Sequence, residues 1–128
     1  MRVFVKDVLA ASVAAQFMEI TGTVPFKTVR GLSKIRSALA EETQIANKEQ
    51  ERLLSEYEGK VLGNGTISFP STEKRKEFEA AWIGILNSEV EFDQDRFDLS
   101  ALVDQIVFHN ANVDVDALST FFDFDGDK

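Results

Sequence analysis

Apolar residues recur at helical spacing in three stretches of the chain. Val5, Leu9, Val13, Phe17 and Ile20 follow one another at intervals of four, four, four and three, with Val8, Ala11, Ala15 and Met18 alongside. The spacing predicts a helix over residues 7–21, capped by Asp7 and ended by Gly22, after a short strand at residues 2–5. From Pro25 onward Leu32, Leu39, Ala46 and Leu53 repeat at strict sevens, with Ile35 and Tyr57 nearby, predicting a second helix over 25–58 with Gly59 as its stop. At 1.5 Å per residue this rod is roughly 50 Å long, too long for one neighbour to cover. Gly31 either kinks it or admits a closely packed neighbour. Its polar stretch 41–52, with only Ile45 and Ala46 apolar near the middle, is expected to be thinly covered.

After Gly59 the period changes. Lys60, Val61 and Leu62, then Gly63-Asn64-Gly65, then Thr66 to Phe69 compose a two-stranded hairpin over 60–69, closed by residues tolerant of positive φ. Pro70 and Ser71 introduce a third helix over 71–87 with Phe78, Ala81, Trp82 and Ile85 on one face, which places Trp82 and Phe78 against the second helix. In this arrangement the first helix covers the near half of the long rod and the third its far half.

Residues 89–93 alternate with period two, predicting a strand with Val90 and Phe92 inward and Glu89, Glu91 and Asp93 outward, available to pair with the N-terminal strand. Residues 99–108 are apolar without a clear period, and a short last helix is expected over 114–123 carrying Leu118, Phe121 and Phe122. Six of the eleven phenylalanines follow residue 90, as expected of core closure by a terminal segment. The fold class is therefore mainly α (α+β), with three principal helices, a hairpin between the second and third, short terminal strands and a short C-terminal helix. With 128 residues and 44% apolar composition, it forms a single domain, 1–128.

Cysteine is absent, which excludes a disulfide scaffold and a thiolate metal site. Residues 8–15, behind Arg2 and Lys6, resemble the short apolar core of a secretory signal, but Asp7 and the brevity of the run favour the amphipathic helix. No apolar run approaches a membrane span. Charge is unevenly placed: residues 1–60 hold nine basic and eight acidic side chains, whereas 89–128 hold only Arg96 and Lys128 against eleven acidic ones, a net of −9. Such a field disfavours nucleic-acid phosphates and anionic lipid, and it leaves two readings: a solvated face, or a surface for a basic protein partner. The candidate partner-binding residues are Glu89, Glu91, Asp93, Asp95, Asp123, Asp125 and Asp127.

Reactive groups are sparse. Asp123, Asp125, Gly126 and Asp127 echo the start of a calcium loop, but the distant bidentate glutamate such a loop needs has no place before Lys128. Asp114 and Asp116 read as capping and first-turn charges of the last helix. His109 is the sole histidine, expected at the surface, and provides no convincing nucleophile-base pair. Glu89 and Glu91 share a strand face, as the paired acids of glycosidases do, but an exposed edge makes plain repulsion the better reading. No catalytic residue, metal or cofactor is expected.

The order of elements resembles an uncharacterised family of small proteins of phages and prophages of Gram-positive bacteria. The likeness rests on the N-terminal strand and helix, the long charged helix ending at Glu49 to Tyr57, the turn at Gly63-Asn64-Gly65, the helix with Glu77-Phe78, the Leu86 to Glu91 segment and the acidic-aromatic end. The chain is richer in terminal phenylalanine than the family pattern. The resemblance implies a phage accessory protein without known enzymatic activity; the first reading of its role is a component of virion assembly or structure, in the host bacterial cytoplasm or the virion, that packs against a phage or host protein or a second copy of itself. A soluble inhibitor that lays its acidic surface in the basic groove of a host defence factor is the alternative.

Overall fold

The computed structural model describes residues 1–110 and 112–125. Strand β1 (Arg2–Phe4) leads into helix α1 (Val5–Ala15), strand β2 (Met18–Ile20) and the long helix α2 (Phe26–Glu56). A hairpin follows, β3 (Lys60–Val61) with β4 (Ile67–Ser68), then helix α3 (Thr72–Leu86) and strand β5 (Glu89–Glu91). The last third holds β6 (Phe97–Asp98), a 3-10 turn at Ser100–Gln105, β7 (Ile106–Phe108), the one-turn helix α4 (Val115–Leu118) and β8 (Phe122–Asp123). Just over half of the described residues are helical, so the protein is mainly α with small β ribbons.

Each strand pairs with one other. β1 lies antiparallel to β5, with Val3 opposite Val90, as the alternation in residues 89–93 anticipates. β2 lies antiparallel to β7, β3 antiparallel to β4, and β6 parallel to β8 with Phe97 opposite Phe122. The hairpin is closed by the bond from the Leu62 amide to the Thr66 carbonyl at 2.8 Å, with Gly65 at φ 85°. Asn64 keeps a negative φ and contributes instead through its side-chain oxygen, which accepts from the Thr66 amide and hydroxyl.

The sevens of α2 define its buried stripe: Leu32, Leu39, Ala46 and Leu53 are all buried, together with Ile35. α1 and α3 both pack on α2, and α1 meets it at Leu32, Ile35 and Leu39. The main core gathers Val8, Ala11, Ala14 and Ala15 of α1 with Leu32, Ile35 and Leu39 of α2. Phe92, Leu99, Leu118, Phe121 and Phe122 close it from the C-terminal third, the last four with no exposed surface and Phe92 with 1%. Phe92 and Phe121 meet edge to face, their ring centres 5.0 Å apart.

Several expectations are corrected. The first helix does not run over 7–21: it begins at Val5, ends at Ala15, and residues 18–20 are strand β2. The β7 strand explains the early end, because backbone pairing of Met18 with Phe108 and Ile20 with Ile106 replaces helical bonds that the local pattern favoured. Asp7 lies in the first turn, not at the cap, which is Phe4. The buried face of α1 is also rotated: Val13 is 57% exposed, while Val8, Ala11, Ala14 and Ala15 are inside. α1 is held between α2 and α4, and the alanine face lets both backbones approach. The last helix spans only Val115–Leu118 rather than 114–123, because Phe122 is drawn into a ladder with β6. Its cap is Asp114, whose carboxylate accepts from the Ala117 amide at 3.1 Å. On α3, Phe78 is buried but Trp82 is only half-buried.

Candidate partner-binding surfaces

The described acidic residues singled out from the sequence lie on strand β5, on the loop after it, and at β8 with the residue that follows Phe124. Glu89 and Glu91 flank Val90 on β5 and face Arg2 across the β1–β5 pair, with N–O distances of 3.6 and 3.9 Å. The Met1 amino group lies 3.4 Å from Glu91 and donates to the Phe92 carbonyl at 2.8 Å. Much of the charge on this edge is therefore answered within the fold. Asp93 and Asp95 are exposed on the loop between β5 and β6. Asp123 sits on a different ribbon, opposite Asp98 in the β6–β8 register, and its carboxylate accepts from the Asp125 amide at 3.0 Å. Asp125 is exposed, and Asp127 lies outside the described residues.

Asp98 was not among the residues the sequence pointed to. Its carboxylate accepts from the Ser100 hydroxyl at 2.6 Å and the Ser100 amide at 2.9 Å, and these bonds hold its pKa below the ordinary value. Asp98 thus serves the start of the 3-10 turn. His109 is exposed and pairs with Glu19, beside the bond from its amide to the Phe17 carbonyl at 2.9 Å, an extension of the β2–β7 ladder. Among the described residues no group of three or more His, Asp or Glu side chains is disposed to hold a metal ion, and no helix is long and apolar enough to cross a membrane.

A second surface is apolar and lies over the middle of α2. Where α1 ends its cover and α3 has not yet begun, a groove of about 300 Å³ opens, floored by Ile45 and Ala46 of α2. Val5 and Val8 form one wall, and Ile85 and Val90 the other. Ile45 is 57% exposed there although it belongs to the apolar set of the helix. Two carboxylates line the groove, Glu42 and Glu49, one helical turn to either side of Ala46. Glu49 is turned to Arg52, whose Nε donates to it at 2.7 Å, and this bond lowers the Glu49 pKa. Glu42 is half-buried and makes no ion pair among the described residues.

The thin cover of residues 41–52 was visible in the sequence. The walls were not, because Val5 and Ile85 belong to elements whose meeting point is set only by the β1–β5 pair that joins the ends of α1 and α3. Comparison of the chain with protein-family models, curated proteins and solved structures finds no match.

Proposed function

We propose that this protein is a non-enzymatic phage accessory protein that works by protein-protein contact, in virion assembly or structure. The observation that supports this reading is the groove over the middle of α2, an apolar cleft lined by exposed Ile45 and by Glu42, whose carboxylate makes no ion pair among the described residues. Its occupant is an amphipathic helix of another phage subunit, laying two or three apolar side chains into the groove and a lysine or arginine against Glu42. The phage setting rests on the resemblance in element order alone.

The test is particle formation in infected cells whose only copy of the protein carries Ile45→Glu. That change adds charge to an exposed position, so the fold should survive while assembly fails. A photo-crosslinker at position 45 should then trap a phage subunit. Normal particle yield with Ile45→Glu, from a protein that melts like the parent, defeats the assembly reading.

The alternative, an inhibitor that occupies the basic groove of a host factor, draws its support from the exposed Asp93 and Asp95 and the net charge of −8. It is the weaker reading, since Glu89 and Glu91 already face Arg2. Reversing Glu89, Glu91, Asp93 and Asp95 to Lys separates the two: it abolishes salt-sensitive binding to a basic host factor and leaves particle yield unchanged if assembly is the role.

A further inference from the structure

Arg36 of α2 borders two clefts, one of about 230 Å³ shared with Ser12 of α1 and its C-terminal cap Gln16, the other of about 360 Å³ shared with Ser33 and Ser37 of α2. Both polar pairs are spaced i, i+4, so each presents its two side chains on one helix face. One of its terminal nitrogens donates to the Met18 carbonyl at 2.8 Å, which fixes the plane of the group. Its Nε is buried and has no acceptor. Arg36 makes no ion pair among the described residues, in a chain with eight more acidic than basic side chains. Burial without a neighbouring carboxylate lowers its pKa from the ordinary value. A partly buried cation of this kind is well matched by an anion, because charge-assisted bonds offset the loss of water.

We propose that Arg36, with the hydroxyls of Ser33 and Ser37 that line the larger cleft beside it, is a binding site for an oxyanion, a phosphate or carboxylate group presented by a ligand. The planar guanidinium, held at one end by the Met18 carbonyl, offers its free terminal nitrogen to one oxygen. The Ser33 and Ser37 hydroxyls, which line the same cleft, donate to the others. This site is separate from the groove at Ile45 and does not depend on the assembly reading.

The test is a titration of the full chain with sodium phosphate, and separately sodium acetate, at constant ionic strength maintained with sodium chloride. The Arg36 Nε–H resonance and the Ser33 and Ser37 amide resonances are followed by nitrogen-15 NMR. The expected result is a saturating shift of these resonances with phosphate or acetate and none with chloride. Phosphate saturating at the lower concentration identifies a phosphoryl ligand; acetate doing so identifies a carboxylate. Arg36→Met should weaken the response by about tenfold or more, the size expected for one charge-assisted contact, while Arg36→Lys keeps part of it. Absence of a saturating shift in the parent protein, or the same shift in a folded Arg36→Met, overturns the proposal and leaves Arg36 as a tie to the Met18 carbonyl. The parent titration decides the question even if Arg36→Met does not fold.

Discussion

Gly31 on α2 lies against the ring of Phe97 on β6 so closely that a Cβ added to it would collide with Phe97 Cε2 and come within 3.0 Å of Cζ. The glycine is therefore a seat for an aromatic ring from the C-terminal third. It couples the first turns of α2 to the β6–β8 ribbon.

Gly31→Ala sets two effects against each other. Alanine favours the helix by about 1 kcal/mol, while overpacking against a held ring typically costs about 1–3 kcal/mol. Net destabilisation is expected in urea melts. In a Phe97→Ala background the same change should be neutral or stabilising, and the double-mutant cycle measures the coupling. Equal effects in both backgrounds would mean that the ring does not meet the glycine.

The end of α2 assigns its residues differently from the sequence pattern, which marks Gly59 as the stop. Glu58 is the left-handed residue, at φ 59°, while the Gly59 amide reaches back to the Leu54 carbonyl at 2.7 Å and that of Glu58 to Ser55 at 3.3 Å. Gly59 is needed for space: a Cβ there would lie 2.8 Å from Leu54 Cδ2 and 2.9 Å from Phe69 Cε1. Glu58→Gly should accordingly stabilise the protein by about 0.5–1 kcal/mol, despite losing an exposed pair with Lys74 that contributes little. Gly59→Ala should destabilise it. Chemical denaturation of the two variants gives opposite signs if this assignment is right, and the same sign if it is not.

Phe78 and Trp82 share a face of α3 but differ in burial. Phe78 is 5% exposed and stacks obliquely on Phe69 of the hairpin at 5.2 Å, whereas Trp82 is half-buried. Phe78→Ala should cost about 3–5 kcal/mol, and Trp82→Ala distinctly less. Thermal melts that rank the two the other way would show that Trp82, not Phe78, joins α3 to the body.

Asp98 carries a pH dependence with a defined sign. Its folded-state pKa is depressed by the bonds from Ser100, so its contribution is complete above the ordinary carboxylate value of about 3.9 and is lost as pH falls through the lower folded value. Asp98→Asn should therefore be less stable than the parent at pH 7, with the gap closing in the acid range. Denaturation midpoints at pH 7 and pH 3 check this; a gap that widens on acidification contradicts it.

What the sequence determined by itself is the local part of the fold. The sevens of α2, the Ser71 cap of α3, whose hydroxyl accepts from the Lys74 amide at 3.2 Å, and the hairpin at Gly63 to Gly65 arise from contacts within a few residues, so their patterns are written in adjacent positions. The strand at Glu89–Glu91 was equally legible, because two-residue alternation needs only one buried side. Tertiary structure decided everything that distant segments compete for. β7 takes Met18–Ile20 out of the first helix, β6 takes Phe122 out of the last, and the position of α1 between α2 and α4 selects its alanine face over Val13. The same holds for the surfaces. Ile45 could be recognised as thinly covered, but the groove around it exists only where the β1–β5 pair brings the start of α1 to the end of α3. Arg36 carried no signal beyond a cation flanked by Ser33 and Ser37 beside the buried stripe; its lack of an ion pair among the described residues is a property of the packed molecule, since desolvation and counter-charge are set by neighbours remote in the chain.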